Sequence, residues 1–329
     1  MEKNKQYNSP VGAIFTGIGD LFKPSGEKLD LNGLPSMDGK RVLITGASSG
    51  LGLATAIEMA KRGAEVIMAV RSGMPEKGEE VKRKSGSKKV EMIRVDLSDL
   101  EALKGFTREI KERFGTVDII VCNAAIVAKE GRAVKEGLDE MFVVNYFAKF
   151  LLAREFEKKQ ILNQAGPELP RIIFVASESH RNHTAFEWEK FGSFEPYGIK
   201  QSVAMYGYYK LLLLTMANEL SRRMNRDGKV QCSVFALCPG PVNSNIAREA
   251  PALFQPLLKL VFGIFFRSPK KACEPVIYLA ASKALEGTSA NYMFLMQQKE
   301  MDEKATDPRN GKHLWELSEK LEKQIRNNS

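Results

Sequence analysis

The sequence predicts an α/β fold built on a doubly wound parallel sheet, and three observations predict it. From residue 41 onward, short apolar runs of strand length alternate with charged, amphipathic stretches of helix length. The runs lack the alternating polar residues of a half-exposed strand, so both faces are buried, as in a parallel sheet covered by helices on each side. The first run, Arg41-Val-Leu-Ile, leads through Thr45-Gly-Ala-Ser-Ser-Gly-Leu-Gly52 into an amphipathic stretch, the strand–turn–helix order of a phosphate cradle. A Rossmann sheet is the expected result.

The elements follow in order. The strand at 41–44 precedes a helix over 51–62; a second strand covers 65–70 and leads to a charged helix that opens near Pro75. The third strand spans 90–95 and its helix 100–114; the fourth strand spans 117–122 and is followed by a long helix over 138–160. A fifth strand is expected at 171–176, a helix at 205–224, a sixth strand at 229–236, a seventh at 291–296, and then a C-terminal helix. No internal repeat or low-complexity tract interrupts the pattern. A chain of 329 residues holds one large domain of this kind plus a short extension. Residues 1–37, with Pro10, Pro24, Pro35 and several glycines, read as an irregular extension, and 38–329 as the dinucleotide-binding catalytic domain.

Composition narrows the function classes. The formal charge of +9 would suit a phosphorylated cofactor, an anionic membrane face or nucleic acid. The densest basic stretch, Lys82-Arg-Lys-Ser-Gly-Ser-Lys-Lys89, has no interleaved aromatics, so nucleic acid is not expected as a partner. Cys122, Cys232, Cys238 and Cys273 have neither metal-ligand spacing nor a paired framework; a reducing, cytoplasmic setting is expected, no metal, and an incidental sequon at Asn182-His-Thr184. No segment offers the roughly 20 apolar residues that span a bilayer. The nearest, 251–266, is interrupted by Gln255 and Lys259, and the N-terminus, with Asp20 and no small-residue cleavage pattern, does not read as a signal peptide.

The glycine run has a downstream companion, Tyr206-Gly-Tyr-Tyr-Lys210. Phosphates need backbone N–H donors and a helix N-terminus, and Gly46, Gly50 and Gly52 supply side-chain-free positions beside the small hydroxyls of Thr45 and Ser48. Tyr206 and Lys210 stand one helical turn apart on one face, so a cation can favour the phenolate of a group that otherwise titrates near about pH 10. Tyr208 and Tyr209 have Leu212 and Leu213 where that lysine would stand. At the end of the second strand an acid would suit a ribose 2′-hydroxyl and an arginine a 2′-phosphate; the chain reads Met68-Ala-Val-Arg-Ser72, so Arg71 favours NADP(H) over NAD(H).

Together, T-G-x-x-x-G-x-G and Y-x-x-x-K resemble the short-chain dehydrogenase/reductase family over most of the chain, from about Asp38 to the C-terminal helix. The stretch from Arg171 to Lys210 and the tail Leu314-Trp-Glu-Leu-Ser-Glu resemble its retinol-dehydrogenase-like branch. The resemblance implies cofactor contacts from the glycine turn, including Ser49 and Leu51, and from Asp96 and Leu97 after the third strand. It implies the same for Asn123 and Ala124, in a Cys122-Asn-Ala-Ala125 turn that departs from the family's N-N-A-G at Cys122 and Ala125, and for Pro239, Gly240 and Val242 after the sixth strand. It implies Tyr206 as general acid/base, Lys210 as its electrostatic tuner and a nicotinamide-ribose contact, Ser177 as the residue bonding the reacting oxygen, and Asn145 as the holder of a proton-relay water. Ser179 is the nearby competitor of Ser177.

The insert between Ser177 and Tyr206 carries His180, His183, Phe186, Trp188, Phe191, Phe194 and Tyr197, which suit either an apolar substrate wall or packing against neighbouring loops. Residues 178–204 and 243–268 are the expected substrate loop and lid, with 251–266 mobile over the nicotinamide pocket. Such a lid would also suit peripheral contact with a membrane surface. Homo-oligomer formation stays open. The expected activity is NADP(H)-dependent interconversion of an alcohol and a carbonyl on a lipophilic, retinoid-, steroid- or lipid-like small molecule. The alternatives are reduction of a ring double bond, as in protochlorophyllide reductase, whose family also carries Cys-Asn-Ala-Ala, and a non-catalytic nucleotide-binding sensor or scaffold.

Overall fold

The computed structural model describes residues 31, 33–183, 185–242 and 267–328. Most of the N-terminal extension and all of the lid segment 251–266 lie outside the described residues.

Eight strands among them form one sheet: β1 Arg41–Thr45, β2 Glu65–Val70, β3 Val90–Arg94, β4 Ile119–Cys122, β5 Arg171–Val175, β6 Ser233–Cys238, β7 Asn291–Phe294 and β8 Gln297–Gln298. Their order is β3-β2-β1-β4-β5-β6-β7-β8, parallel except for the final hairpin. The register aligns Ile44 with Met68 on one side and with Val121 on the other. The direction of strand addition reverses between β1 and β4, and the crevice at the carboxyl ends of such strands is where α/β sheets hold ligands.

The helices are α1 Gly50–Lys61, α2 Glu76–Ser85, α3 Leu100–Phe114, α4 Glu140–Phe142, α5 Ala148–Lys158, α6 Ile199–Met224, α7 Pro269–Ala272, α8 Glu274–Ala281, α9 Glu303–Thr306 and α10 Pro308–Asn328. A π turn, Val143–Phe147, joins α4 to α5. Alternation along the strands decides which helices cover which face. Val42, Ile44, Val66, Met68, Val121 and Ile173 pack with α1, α2 and α8. Leu43, Ile67, Ile120, Ile172 and Val234 pack with α3, α5, α6 and α10. Each of these fully buried apolar side chains contributes about 1.5–3 kcal/mol from removal of its surface from water, and the two apolar layers hold the sheet between helices. The doubly wound architecture is thus present.

Several boundaries differ from expectation. The sixth strand begins at Ser233 because the Asn225 side chain captures the preceding turn: its Oδ1 accepts from the Gln231 and Cys232 amides at 2.7 and 3.0 Å. Helix α6 begins at Ile199 rather than at residue 205. The expected helix over 138–160 starts after Asp139, whose carboxylate accepts from the Phe142 amide at 2.7 Å, and the π turn interrupts it. No helix among the described residues is long and apolar enough to cross a membrane.

Candidate active site

The glycine turn is the first part of the site. The backbone leaves β1 at Thr45 and turns through Gly46 and Gly50, both at positive φ, +68° and +52°, which glycine adopts without strain. A Cβ on Gly46 would stand 2.9 Å from the Ala124 Cα, and one on Gly52 would stand 2.3 Å from the Gly46 carbonyl oxygen. Gly52 therefore lets α1 close onto the turn itself. Thr45 is buried; its hydroxyl donates to the Val121 carbonyl at 3.4 Å and accepts from the amides of Asn123 and Ala124 at 3.1 and 3.2 Å. The Asn123 side-chain amide donates to the carbonyls of Thr45 and Gly46 at 2.9 and 3.2 Å. The Thr45 and Asn123 side chains thus bolt the glycine turn to the end of β4.

The N-terminus of α1 fits an anion. Ser49, at the cap position, makes no side-chain cap bond, and the first turn holds no acidic residue, so the leading amides keep their donors for a phosphate. The cradle closed to any Cβ and the uncapped helix start both fit a dinucleotide pyrophosphate. Beside it, a Cβ on Gly73 would lie 3.6 Å from that of Ser48, which brings the loop after β2 against the turn. Arg71 is exposed in that loop, its Nη1 3.9 Å from an oxygen of Asp96. An exposed pair at that separation is worth at most about 1 kcal/mol, so the guanidinium is not committed. Asp96 is anchored by Ser98, whose amide and hydroxyl both donate to its Oδ1, at 2.9 and 2.7 Å. The side chains of Leu51 and Leu97 are core residues, leaving only their backbone to face a ligand.

The second part lies where β5 ends. Ser177 caps a short 3₁₀ turn, Glu178–Asn182, its Oγ accepting from the Ser179 amide at 3.3 Å and from the Ser179 hydroxyl at 2.9 Å. Helix α6 crosses this turn closely because the residue after Tyr206 is glycine: a Cβ on Gly207 would stand 2.7 Å from the Ser179 carbonyl oxygen. Tyr206 is half-buried beside Gly207, on the turn of α6 that lies against this 3₁₀ turn. Lys210 is buried, its Nζ 5.5 Å from the centre of the Tyr206 ring and donating to the Val175 carbonyl at 2.8 Å. Burial holds the Tyr206 phenol above its usual range and Cys238 adds to this, while the Ser177 hydroxyl acts the other way. Burial also brings Lys210 well below the usual lysine range, helped by a second cation, Lys149. A neutral phenol beside a lysine that parts readily from its proton is an arrangement suited to proton exchange.

Ser177, Tyr206 and Lys210 thus come together at the strand ends. Tyr208 and Tyr209 serve the fold. The Tyr208 hydroxyl accepts from the Glu187 amide at 3.0 Å, and Tyr209 meets Phe142 edge-on. Asn145 sits wholly buried in the π turn, and its side-chain amide clips the chain after β4: Oδ1 accepts from the Ile126 amide and Nδ2 donates to the Ile126 carbonyl, both at 2.9 Å. Lys149, which the sequence reading passed over, lies one helical turn beyond Asn145 in the apolar stretch Phe147-Ala-Lys-Phe-Leu-Leu152. A lone lysine inside an apolar helix segment was the available signal.

On the far side, Gly240 has φ +74°, and Val242 bridges to Arg267, the residue at which the described chain resumes. The insert aromatics are packing residues. Phe186 stacks on Trp188, Trp188 meets His313 of α10 edge-on, Phe191 meets Phe142 edge-on, and the Tyr197 hydroxyl donates to Asp139 at 2.8 Å. His180 is buried, with Nδ1 donating to the Ser177 carbonyl at 2.7 Å and Nε2 accepting from the Asp302 amide at 3.3 Å; burial pushes its pKa down to about 4. His183 bonds the Ala204 carbonyl at 2.7 Å. Among the described residues no group of three His, Cys, Asp or Glu side chains gathers as a metal site.

A parallel sheet with a glycine cradle at its switch point and a tyrosine–lysine pair by the end of β5, two strands across, defines a dinucleotide-dependent oxidoreductase. The short chain dehydrogenase family model matches residues 40–188. Retinol dehydrogenase 14 of Homo sapiens is 30% identical over 326 residues, covering 94% of each chain. Retinol dehydrogenase 13 of Mus musculus is 32% identical over 298 residues, covering 87% of this chain and 84% of that one. The crystal structure of an uncharacterized protein from Mycobacterium Paratuberculosis superposes with a TM-score of 0.69 at 26% identity, over 90% of this chain and 98% of that one. The chain belongs to the short-chain dehydrogenase/reductase family, in its retinol-dehydrogenase-like branch.

Proposed function

We propose that this protein is an NADP(H)-dependent oxidoreductase that interconverts an alcohol and a carbonyl on a lipophilic small molecule, with Tyr206 as the general acid/base. The observation that carries the reading is the placement of Lys210 against the Tyr206 ring, with the Ser177 hydroxyl favouring the Tyr206 phenolate, by the end of β5, two strands across from the glycine cradle. The bound nicotinamide supplies or accepts the hydride. The chain's own residues do the rest. The Ser177 hydroxyl donates to the reacting oxygen and stabilises charge that develops there. Tyr206 passes its proton to that oxygen on reduction and takes it back on oxidation. When protonated, Lys210 places a cation beside the phenol and lowers the cost of its ionised form. Arg71 meets a 2′-phosphate, and the amides opening α1 meet the pyrophosphate. Asn145 keeps the chain after β4 in place beside them. Two relatives named as retinol dehydrogenases support an apolar substrate.

The test is a turnover screen of apolar aldehydes, ketones and alcohols, retinal and retinol included, with each of NADPH, NADH and their oxidised forms. Tyr206→Phe is run beside the parent. The reading expects turnover by the parent with NADP(H), and a Tyr206→Phe protein that folds and binds NADPH but loses about 100-fold or more in rate. Parental rates in the Phe variant would remove Tyr206 from the chemistry.

A further inference from the structure

Glu178, the residue after Ser177, is a carboxylate to which the proposed chemistry assigns no task. Its side chain is 17% exposed and meets three donors. Oε1 accepts from the Tyr292 hydroxyl at 2.6 Å; Oε2 accepts from the Lys299 ammonium at 2.6 Å and from the Arg181 Nε at 3.2 Å. Tyr292 is buried in β7, and Lys299 follows β8 directly. Two neighbours repeat the attachment. The Arg181 guanidinium donates to the Glu300 carbonyl. His180, whose ring nitrogens meet the Ser177 carbonyl and the Asp302 amide, lies edge-on to the Tyr292 ring at 5.7 Å. Glu178, His180 and Arg181 thus fasten the 3₁₀ turn that opens at Ser177 to the β7–β8 hairpin and the chain leaving it. The hairpin is itself fixed: the Leu295 amide donates to the Cys238 carbonyl at 2.9 Å and the Lys299 amide to the Tyr292 carbonyl at 3.0 Å.

The same turn lies against α6, where a Cβ on Gly207 would stand 2.7 Å from the Ser179 carbonyl oxygen. Its seat on the hairpin therefore sets where Ser177 stands relative to the helix that carries Tyr206. We propose that Glu178 is a positioning residue for the reaction, its carboxylate fastening the Ser177 turn to the β7–β8 hairpin so that the Ser177 hydroxyl keeps its place beside Tyr206. The inference rests on the oxidoreductase reading of the site.

A carboxylate drawn out of water with two cations is a weak source of stability, since apolar side chains of similar volume often serve the fold as well. It differs from them in direction. An apolar contact has no preferred angle, whereas three hydrogen bonds to two oxygens fix the group in both position and orientation. That constraint falls on the peptide unit that joins Glu178 to Ser177, whose carbonyl His180 already holds at 2.7 Å. Glutamine has nearly the same shape and keeps one oxygen for Tyr292. It turns an amide NH2 towards Lys299 and Arg181, which have only donors to offer, so the fastening loosens on that side.

The experiment compares the full-length parent with Glu178→Gln, Tyr292→Phe, Ser177→Ala and the two double variants that combine Ser177→Ala with each of the others. Melting temperature and NADPH binding by fluorescence are measured for all. The first readout is kcat and KM on a substrate that the parent turns over. Glu178→Gln should lower kcat about tenfold or more through misplacement of Ser177, and Tyr292→Phe should act in the same direction by less. NADPH affinity should stay within about twofold, and with Ser177→Ala already in place Glu178→Gln should change kcat by less than about twofold, because no hydroxyl remains to be placed. A residue that serves the fold alone would lower the melting temperature and leave kcat at the parental value. One that acts elsewhere in the site would multiply its loss with that of Ser177→Ala. Either result would overturn the proposal. The second readout needs no turnover: hydrogen exchange over residues 177–182 should rise about tenfold in Glu178→Gln, with residues 45–52 unchanged. Unchanged exchange over 177–182 would equally overturn it. A parent that turns over nothing would count against the oxidoreductase reading alone, because the exchange still decides whether Glu178 holds the turn. If Glu178→Gln does not fold, Tyr292→Phe decides through the same pairing with Ser177→Ala.

Discussion

The Ser179 hydroxyl donates to the Ser177 Oγ at 2.9 Å, which leaves the Ser177 proton for another acceptor. With an acceptor position of Ser177 filled by Ser179, the remaining Ser177 O–H points its donor elsewhere, towards Tyr206 or a reacting oxygen. On the proposed mechanism Ser177 is then the donor and Ser179 its orienter.

Ser177→Ala removes the donor to the reacting oxygen and is expected to lower kcat by about 100-fold or more, the range for loss of an oxyanion donor. Ser179→Ala removes one neutral hydrogen bond, about 0.5–1.5 kcal/mol, and should lower kcat about 2- to 12-fold with KM nearly unchanged. Steady-state kinetics of both variants check the order. Equal losses at the two positions would mean that Ser179 itself meets the substrate.

Arg71→Asp is expected to shift preference from NADP(H) towards NAD(H). The guanidinium is exposed and only loosely paired with Asp96, so its loss disturbs little of the fold. A charge-assisted contact to a 2′-phosphate is worth about 1.5–3 kcal/mol, so the ratio of the two cofactor affinities should change at least about tenfold. Fluorescence titration with NADPH and NADH measures it. A parent protein that binds both equally would already refute the assignment.

His180 should make stability depend on pH. Burial lowers its folded-state pKa to about 4, against 6.5 for the unfolded residue. Between those values the unfolded chain binds the proton and the folded one does not, so stability is full above about pH 6.5 and falls as pH drops towards 4. The integrated loss is about 3 kcal/mol. His180→Asn keeps a donor for the Ser177 carbonyl and removes the titration. Its melting temperature should start lower than the parent's at pH 7 and fall less between pH 6.5 and 4.5. Parallel curves for the two proteins would assign the acid sensitivity to carboxylates instead.

The sheet was legible because its central strands are short apolar runs with both faces buried, and the Tyr206–Lys210 pair because helical spacing alone places both on one face. Other features carry no such local signature. Strand β8 is two glutamines whose pairing depends on the hairpin that follows β7. Lys149 is a common helix residue that becomes unusual only when the tertiary fold buries it. The insert aromatics suited two uses until α10 supplied His313 against Trp188 and α4 supplied Phe142 against Phe191. The roles of Thr45 and Asn123 as bolts between strand ends exist only across the gap between β1 and β4, which are 74 residues apart in sequence at their nearest ends.

Gly207 offers the sharpest test of how α6 is set against the Ser177 turn. An alanine Cβ there would stand 2.7 Å from the Ser179 carbonyl oxygen, a contact with backbone that no side-chain rotation relieves. The turn carrying Ser177 must then move away from the turn of α6 carrying Tyr206. Overpacking of this kind costs about 1–3 kcal/mol, while alanine gains about 1 kcal/mol over glycine within a helix, so the net loss of stability should be small. Catalysis has no such offset, since small misplacement of reacting groups costs rate steeply. Gly207→Ala is expected to melt within a few degrees of the parent and to lose at least about tenfold in kcat. Gly105 on α3 is the matched control: an added Cβ meets nothing within 4 Å, and Gly105→Ala should leave kcat unchanged and raise the melting temperature. Parental kcat in Gly207→Ala would show that the close seating of α6 on the Ser179 carbonyl is not what holds Tyr206 to Ser177.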